Sequence, residues 1–296
     1  MRDLASCLSE HAVQVSDTSC SSYTNIAPCI ASASTPSIQI SVKCLYRSIL
    51  SNEKQMMTTV TWSRSASAHG LTLSFHDDPS AAFKISTSSR LFRKSKGRKS
   101  LQLRSSSSKI DLFWDLSTAR YEPGPEPVDG FYVAVVVDSE LGLVLGDKDH
   151  ELAGKKAGKF ALVSRQEHFS GSTVCATKAR FCDGGGAHDI SIRCGGESQA
   201  RHPILSVCID KKPVIRVKKL QWNFRGNQTI FLDGLLVDLL WDVHDWFHNP
   251  DAGYAVFMFK TRSGLESRLW LHDDKIMRRD DDRLDFSFMI CACKNV

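Results

Sequence analysis

Lys109-Ile110-Asp111-Leu112-Phe113-Trp114-Asp115-Leu116 and Leu236-Val237-Asp238-Leu239-Leu240-Trp241-Asp242-Val243 carry Asp, Leu, Trp and Asp in the same register. The second stretch alone is ambiguous. Leu235, Leu236, Leu239, Leu240, Val243, Trp246 and Phe247 fall at helical spacing, whereas Val237, Leu239, Trp241 and Val243 alternate as in a half-buried strand. The first stretch decides between them: Ile110, Leu112, Trp114 and Leu116 alternate against Asp111 and Asp115, and its helical stripe is poorer. A repeated element keeps its type, so both stretches read as strands that direct Trp114 and Trp241 into a core.

The surroundings of the two stretches also match. Each follows a basic, two-strand segment (Leu71 to Lys99; Ile204 to Arg225). Each is followed by a glycine, an aromatic residue and an apolar run: Gly130-Phe131-Tyr132-Val133-Ala134-Val135 and Gly253-Tyr254-Ala255-Val256-Phe257. The simplest reading is an internal duplication, with related halves at about 70–147 and 203–272.

Outward from these units, period-two alternation recurs at Ile38 to Lys43, Thr58 to Trp62 and Leu71 to Phe75. Short apolar runs follow at Phe131 to Val137, Leu141 to Leu145, Ile204 to Ile209, Ala255 to Phe259 and Phe286 to Ile290, with Gly, Pro, Asn and Asp between them. This spacing predicts an all-β fold, an antiparallel sandwich or barrel, rather than βα repeats. Residues 1–36 are rich in Ser and poor in large apolar side chains, which predicts a disordered tail before an all-β domain at 37–296.

A chain of 296 residues with 42% hydrophobic content has material for a sizeable core. No apolar run approaches the roughly 18 residues that a spanning helix needs. Met1 to Ser9 lack the apolar region of a secretory signal, so the expected location is intracellular, cytoplasmic or nuclear, and not secreted. The ten cysteines, spread from Cys7 to Cys293, then read as thiols. Cys175, Cys182, Cys194 and Cys208, with His168 and His188, lack the paired spacing of a zinc site, so neither a metal nor a cofactor is expected.

Charge singles out one segment. Pro79 to Ile110 holds nine cations and no acidic residue in a chain whose net charge is +5, so the basicity is local. Its densest part, Arg93, Lys94, Lys96, Arg98 and Lys99, reads as an exposed hairpin tip that contacts a protein partner or an anionic surface, or acts as an import signal. Phe92 is the lone aromatic there, which argues against a stacking platform for single-stranded nucleic acid. Asp111 and Asp115 lie about 13 Å apart along one strand, beyond the roughly 5–9.5 Å of a glycosidase pair. They read as a core-anchoring Trp next to an Asp that bonds turn amides. His244 and Asp245, with His248 and Asp251 nearby, are the candidate polar groups of a pocket. No residue is assigned a catalytic role.

Taken together, Lys109 to Leu116, Pro125-Glu126-Pro127-Val128-Asp129-Gly130-Phe131-Tyr132-Val133-Ala134-Val135-Val136, Arg165-Gln166-Glu167-His168, Phe224-Arg225-Gly226-Asn227-Gln228-Thr229 and Trp241-Asp242-Val243-His244-Asp245-Trp246 resemble the plant-specific family called domain of unknown function 868. The resemblance runs from about Ile38 to the end of the chain. It implies a plant source and carries over no activity, ligand or catalytic residue. Two readings of function follow. One is a non-catalytic β-rich module that binds a partner through Arg93 to Lys99. The other is a small-molecule or enzymatic pocket, inside a barrel or between the halves, with His244 and Asp245 as its polar groups.

Overall fold

The computed structural model describes residues 37–86, 95–104, 108–147, 156–171, 174–182, 185–195, 203–249, 251–262 and 286–294. The Ser-rich stretch 1–36 lies outside them. Strands β1 (Ile38–Ile49), β2 (Gln55–Arg64), β3 (His69–Phe75) and β4 (Asp78–Ser86) pair in sequence as an antiparallel meander. A second sheet takes β5 (Lys96–Gln102), β6 (Lys109–Asp115), β9 (Tyr132–Val137) and β10 (Glu140–Gly146), with the small ribbon β7 (Arg120–Tyr121) and β8 (Pro127–Asp129) inserted before β9.

The chain then crosses through β11 (Lys159–Ser170) into another meander of β12 (Val174–Ala179), β13 (His188–Gly195), β14 (Ile204–Ile209) and β15 (Lys212–Val217). It finishes with β16 (Arg225–Leu232), β17 (Leu235–Asp242), the helix α1 (His244–His248), β18 (Tyr254–Thr261) and β19 (Ser287–Cys293). β11 pairs antiparallel with β1 and parallel with β19, so one nine-stranded sheet runs β16-β17-β18-β19-β11-β1-β2-β3-β4. Of the two architectures open at the sequence level, the sandwich forms, and none of these sheets closes into a barrel.

Two cores lie on this sheet. In the first, Val60, Trp62, Leu71, Leu73 and Phe83 meet Ile110, Leu112, Trp114, Val133, Val135 and Leu143 from β6, β9 and β10. In the second, Ile190, Ile192, Leu205, Val207 and Ile215 meet Val237, Leu239, Phe257, Phe259, Phe288 and Ile290. Cys175 and Cys194 belong to the second core, where burial pushes both thiols up to about 12. Cys44, Cys175, Cys182, Cys194, Cys291 and Cys293 are free thiols. Cys208 departs from that expectation and is disulfide-bonded.

The ambiguous stretch is a strand through Asp242, with Val237 and Leu239 fully buried and Leu240 exposed. Only its end keeps the helical pattern, as α1, where Trp246 is buried. The two strands end alike: Asp115 Oδ1 accepts the Ser117 amide at 3.0 Å, and Asp242 Oδ1 accepts the His244 amide at 3.1 Å. Three cross-strand pairs also match between the β5–β6 and β16–β17 hairpins. Lys96 faces Asp115 as Arg225 faces Asp242, Gly97 lies under Trp114 as Gly226 lies under Trp241, and Ser100 bonds Asp111 as Thr229 bonds Asp238. A side chain at either glycine would collide with an indole ring.

Hairpin turns at one end of the second sandwich are tied together by a histidine. His188, at the start of β13, meets Asp210 of the β14–β15 turn through Nδ1 at 2.6 Å and Asp233 of the β16–β17 turn through Nε2 at 2.9 Å. Both aspartates sit in the left-handed region, with φ of +49° and +51°. The hydrogen bonds to Asp210 and then Asp233 raise the His188 pKa above its usual 6.5. The His188 bond in turn holds Asp210 below 3.8.

A raised folded-state pKa gives stability that is complete below about pH 6.5 and fades as pH climbs through the raised value. A lowered aspartate gives stability that fades as pH falls below about 3.8. Urea unfolding across pH 5 to 9 is therefore expected to show the difference between wild type and His188→Gln shrinking as pH rises. A difference that stays constant would mean that His188 is not held as an imidazolium.

Candidate functional site

The structure separates the residues singled out in the sequence. Arg93 and Lys94 lie outside the described residues. Lys96, Arg98 and Lys99 do not form a hairpin tip but lie on β5, which among the described residues is an edge strand paired only to β6. Lys96 pairs with Asp115 at 3.6 Å, Arg98 lies 5.7 Å over the Phe113 ring and Lys99 lies 5.3 Å over the Phe83 ring. Lys99 is on the face shared with Gly97 and Leu101, at the border of the first core. Cations on an edge strand, one of them turned inward, block pairing with a second chain. Alternation there is masked because the outward and inward positions both carry cations, so in sequence the run resembles an exposed hairpin tip.

His244 and Asp245 sit on α1, at the surface of the second sandwich. His244 Nδ1 is 2.9 Å from Asp245 Oδ1, and the His244 ring stacks on His248 with centroids 4.3 Å apart. The bond from His244, with a second from Tyr254, lowers the Asp245 pKa. Neither residue lines the cleft between the sandwiches.

That cleft has a volume of about 640 Å³. One wall is the outer face of the β12–β15 sheet, with Ala176, Lys178, Asp189, Ser191 and Cys208. The facing wall is the β7–β8 ribbon, with Glu122, Pro123, Gly124, Glu126, Pro127 and Val128. Gln39 of β1 and Arg165 of β11 form its base. The ribbon holds its shape through an ion pair between Arg120 and Asp129 and through Thr118 Oγ1, which donates to the Gly130 carbonyl at 2.8 Å.

Arg165 is the hub. Its guanidinium donates to both oxygens of Glu126, at 3.1 and 2.5 Å, and through Nε to Glu167 Oε1 at 2.6 Å. Burial opposes its charge, but Glu126 and Glu167 outweigh that and raise its pKa. Burial likewise pushes the neighbouring Cys44 thiol up to about 11. Glu167 is 0% exposed, and its Oε2 has no hydrogen-bond partner among the described residues. Glu126 and Arg165 stand 39 positions apart in the chain, so no local pattern announces their meeting.

Removing Arg165 strands a buried carboxylate, the costly way to break such a pair. Arg165→Met is expected to lower unfolding free energy by about 3–5 kcal/mol. Adding Glu167→Met is expected to recover most of it, read by urea denaturation. Equal stability of the single variant and wild type would remove Arg165 from this role.

A family model described as plant protein of unknown function (DUF868) matches residues 37–294. The matched span opens one residue before β1 and closes just after β19, so both sandwiches lie inside it. No curated protein matches the chain, and no solved structure does. Glu126 with Arg165, and Arg225 with Asp242, fall in segments that resemble this family, and each couple meets in space through an ion pair. The chain belongs to the DUF868 family of plant proteins of unknown function.

Proposed function

We propose that this protein is a non-catalytic β-rich binding module that takes its ligand in the cleft between the two sandwiches. The observation that carries this reading is the cleft itself, about 640 Å³ and built on Arg165. That volume lies within the roughly 300–1,000 Å³ of small-ligand sites. Arg165 is engaged by Glu126 and Glu167, so the base fixes a shape rather than offering a reactive atom. The walls mix Val128 and prolines with Lys178, Asp189 and Lys211, which suits a compact ligand with one apolar side and a few polar groups. The matching pairs Lys96–Asp115 and Arg225–Asp242, and the two Gly–Trp contacts, support an internal duplication.

Val128 offers the test, because it lines the cleft yet is 55% exposed, so its replacement removes no core packing. Thermal-shift screening of small metabolites against the full chain is expected to yield a ligand that, at a hundredfold above its Kd, raises the melting temperature by about 5 °C or more. Val128→Arg should abolish that shift while leaving the unliganded melting temperature unchanged. A ligand that stabilises the variant equally binds elsewhere and sinks the assignment.

The exposure of Lys96, Arg98 and Lys99 along one edge favours a second reading, in which β5 contacts an anionic partner. Lys96→Glu with Arg98→Glu should then elute from a heparin column at clearly lower salt than wild type. Unchanged elution would leave β5 with edge protection alone.

A further inference from the structure

Between Asp210 and Asp233 the chain passes Lys211, Lys212, Arg216, Lys218, Lys219 and Arg225 without an acidic residue. The fold gathers Arg216, Lys218, Lys219 and Arg225 around a shallow depression of about 600 Å³ with Trp241 in its wall. Arg225 is engaged with Asp242 at 2.7 Å, whereas Lys218 and Lys219 sit exposed on the loop that joins β15 to β16.

This loop is firmly built. Leu220 is 0% exposed and donates its amide to the Pro203 carbonyl at 3.1 Å. The Lys219 carbonyl accepts the Trp222 and Asn223 amides at 2.9 and 3.1 Å. Asn223 Nδ2 donates to the Lys218 carbonyl at 2.9 Å, and Trp241 Nε1 donates to the Asn223 carbonyl at 3.1 Å. A loop so anchored nonetheless leaves Trp222 77% exposed, more than any other large hydrophobic residue described.

An indole held in water by a folded loop is unfavourable unless something covers it, because burying such a ring stabilises by a few kcal/mol (about 25 cal/mol per Å²). The headgroup layer of a membrane suits both features: Trp settles at the membrane–water interface, and each nearby Lys or Arg gains about 1 kcal/mol from an anionic surface. A single strand of nucleic acid would want successive aromatic platforms, and Trp222 is the one indole that stands clear on this loop. We propose that the β15–β16 loop docks on anionic phospholipid surfaces, with Trp222 entering the interfacial layer and Lys218 and Lys219 meeting the lipid headgroups. This site is distinct from the cleft and does not depend on it.

The test is sedimentation of the full chain with phosphatidylcholine vesicles, with and without about 30 mol% phosphatidylserine, across a salt series. Wild type should pellet with the anionic vesicles only, less as salt rises, and its tryptophan emission should shift to shorter wavelength. Lys218→Gln with Lys219→Gln should weaken partitioning about thirtyfold, at about 1 kcal/mol per cation. Trp222→Ala should weaken it at least about tenfold and remove the emission shift. Circular dichroism should show both variants folded, as their exposed positions imply.

Val128→Arg, in the cleft, should pellet as wild type does. Equal pelleting with neutral vesicles, no pelleting with anionic ones, or full retention by either loop variant would overturn the proposal. So would binding to single-stranded oligouridine in place of vesicles, which would reassign the loop to nucleic acid.

Discussion

β11 has hydrogen-bonded neighbours of opposite direction, β1 antiparallel along nearly its whole length and β19 parallel from Ser164 to Ser170. β1 opens the first meander and β19 is the last strand of the second sandwich, so this one strand turns two sandwiches into a single sheet. A parallel neighbour cannot be reached by a tight turn. Here the chain must lay down the whole second sandwich before β19 returns to β11, and such non-local pairing forms late and slowly. Phe169 carries β11 into the second core, while Arg165 on the same strand faces the base of the cleft. The seam therefore fixes how the sandwiches meet and what lies at their junction.

The cleft is a consequence of that seam together with the ribbon inserted between β6 and β9. Glu126 reaches Arg165 only because the ribbon folds back over β1, and Glu167 holds the other side of the same guanidinium. A buried ion network of this kind contributes little net stability, but it penalises every arrangement in which its charges are left without partners. Its effect on this fold is to fix the ribbon wall to the base of the cleft on β11.

Much of the architecture was legible because strands facing a core print a period of two. Val42, Val60, Leu71 and Leu73 are buried in the alternation that their sequence shows. The comparison of Trp114 with Trp241 correctly favoured strands where the helical stripe of the second stretch misled, and the turn-bonding role of Asp115 and Asp242 could be read from their position at a strand end. The rest depended on contacts that sequence spacing does not carry. Strand order is set by pairings between distant segments, and Arg165 and Glu126 look like ordinary surface charges until the ribbon is folded. Cations on β5 resembled a loop, since charged residues are usual in turns and an edge strand carries them for a different reason. Trp222 gave no signal at all, because a single aromatic residue in a basic segment reads equally well as core or surface.

The two Gly–Trp contacts show how one framework serves different ends. In both hairpins a glycine on the edge strand lets an indole lie flat across it, with the ion pair beside it closing the strand end. Trp114 turns toward Phe83, with ring centroids 4.7 Å apart, and is 8% exposed, so its ring completes the first core. Trp241 is only partly buried, and its indole N–H reaches outward to the Asn223 carbonyl. The same ring position that fills a core in the first sandwich thus supports a loop in the second. Gly226 is part of that support, since any side chain there would collide with the Trp241 ring. The presentation of Trp222 to solvent therefore follows from a glycine on a strand and an indole hydrogen bond rather than from loop flexibility.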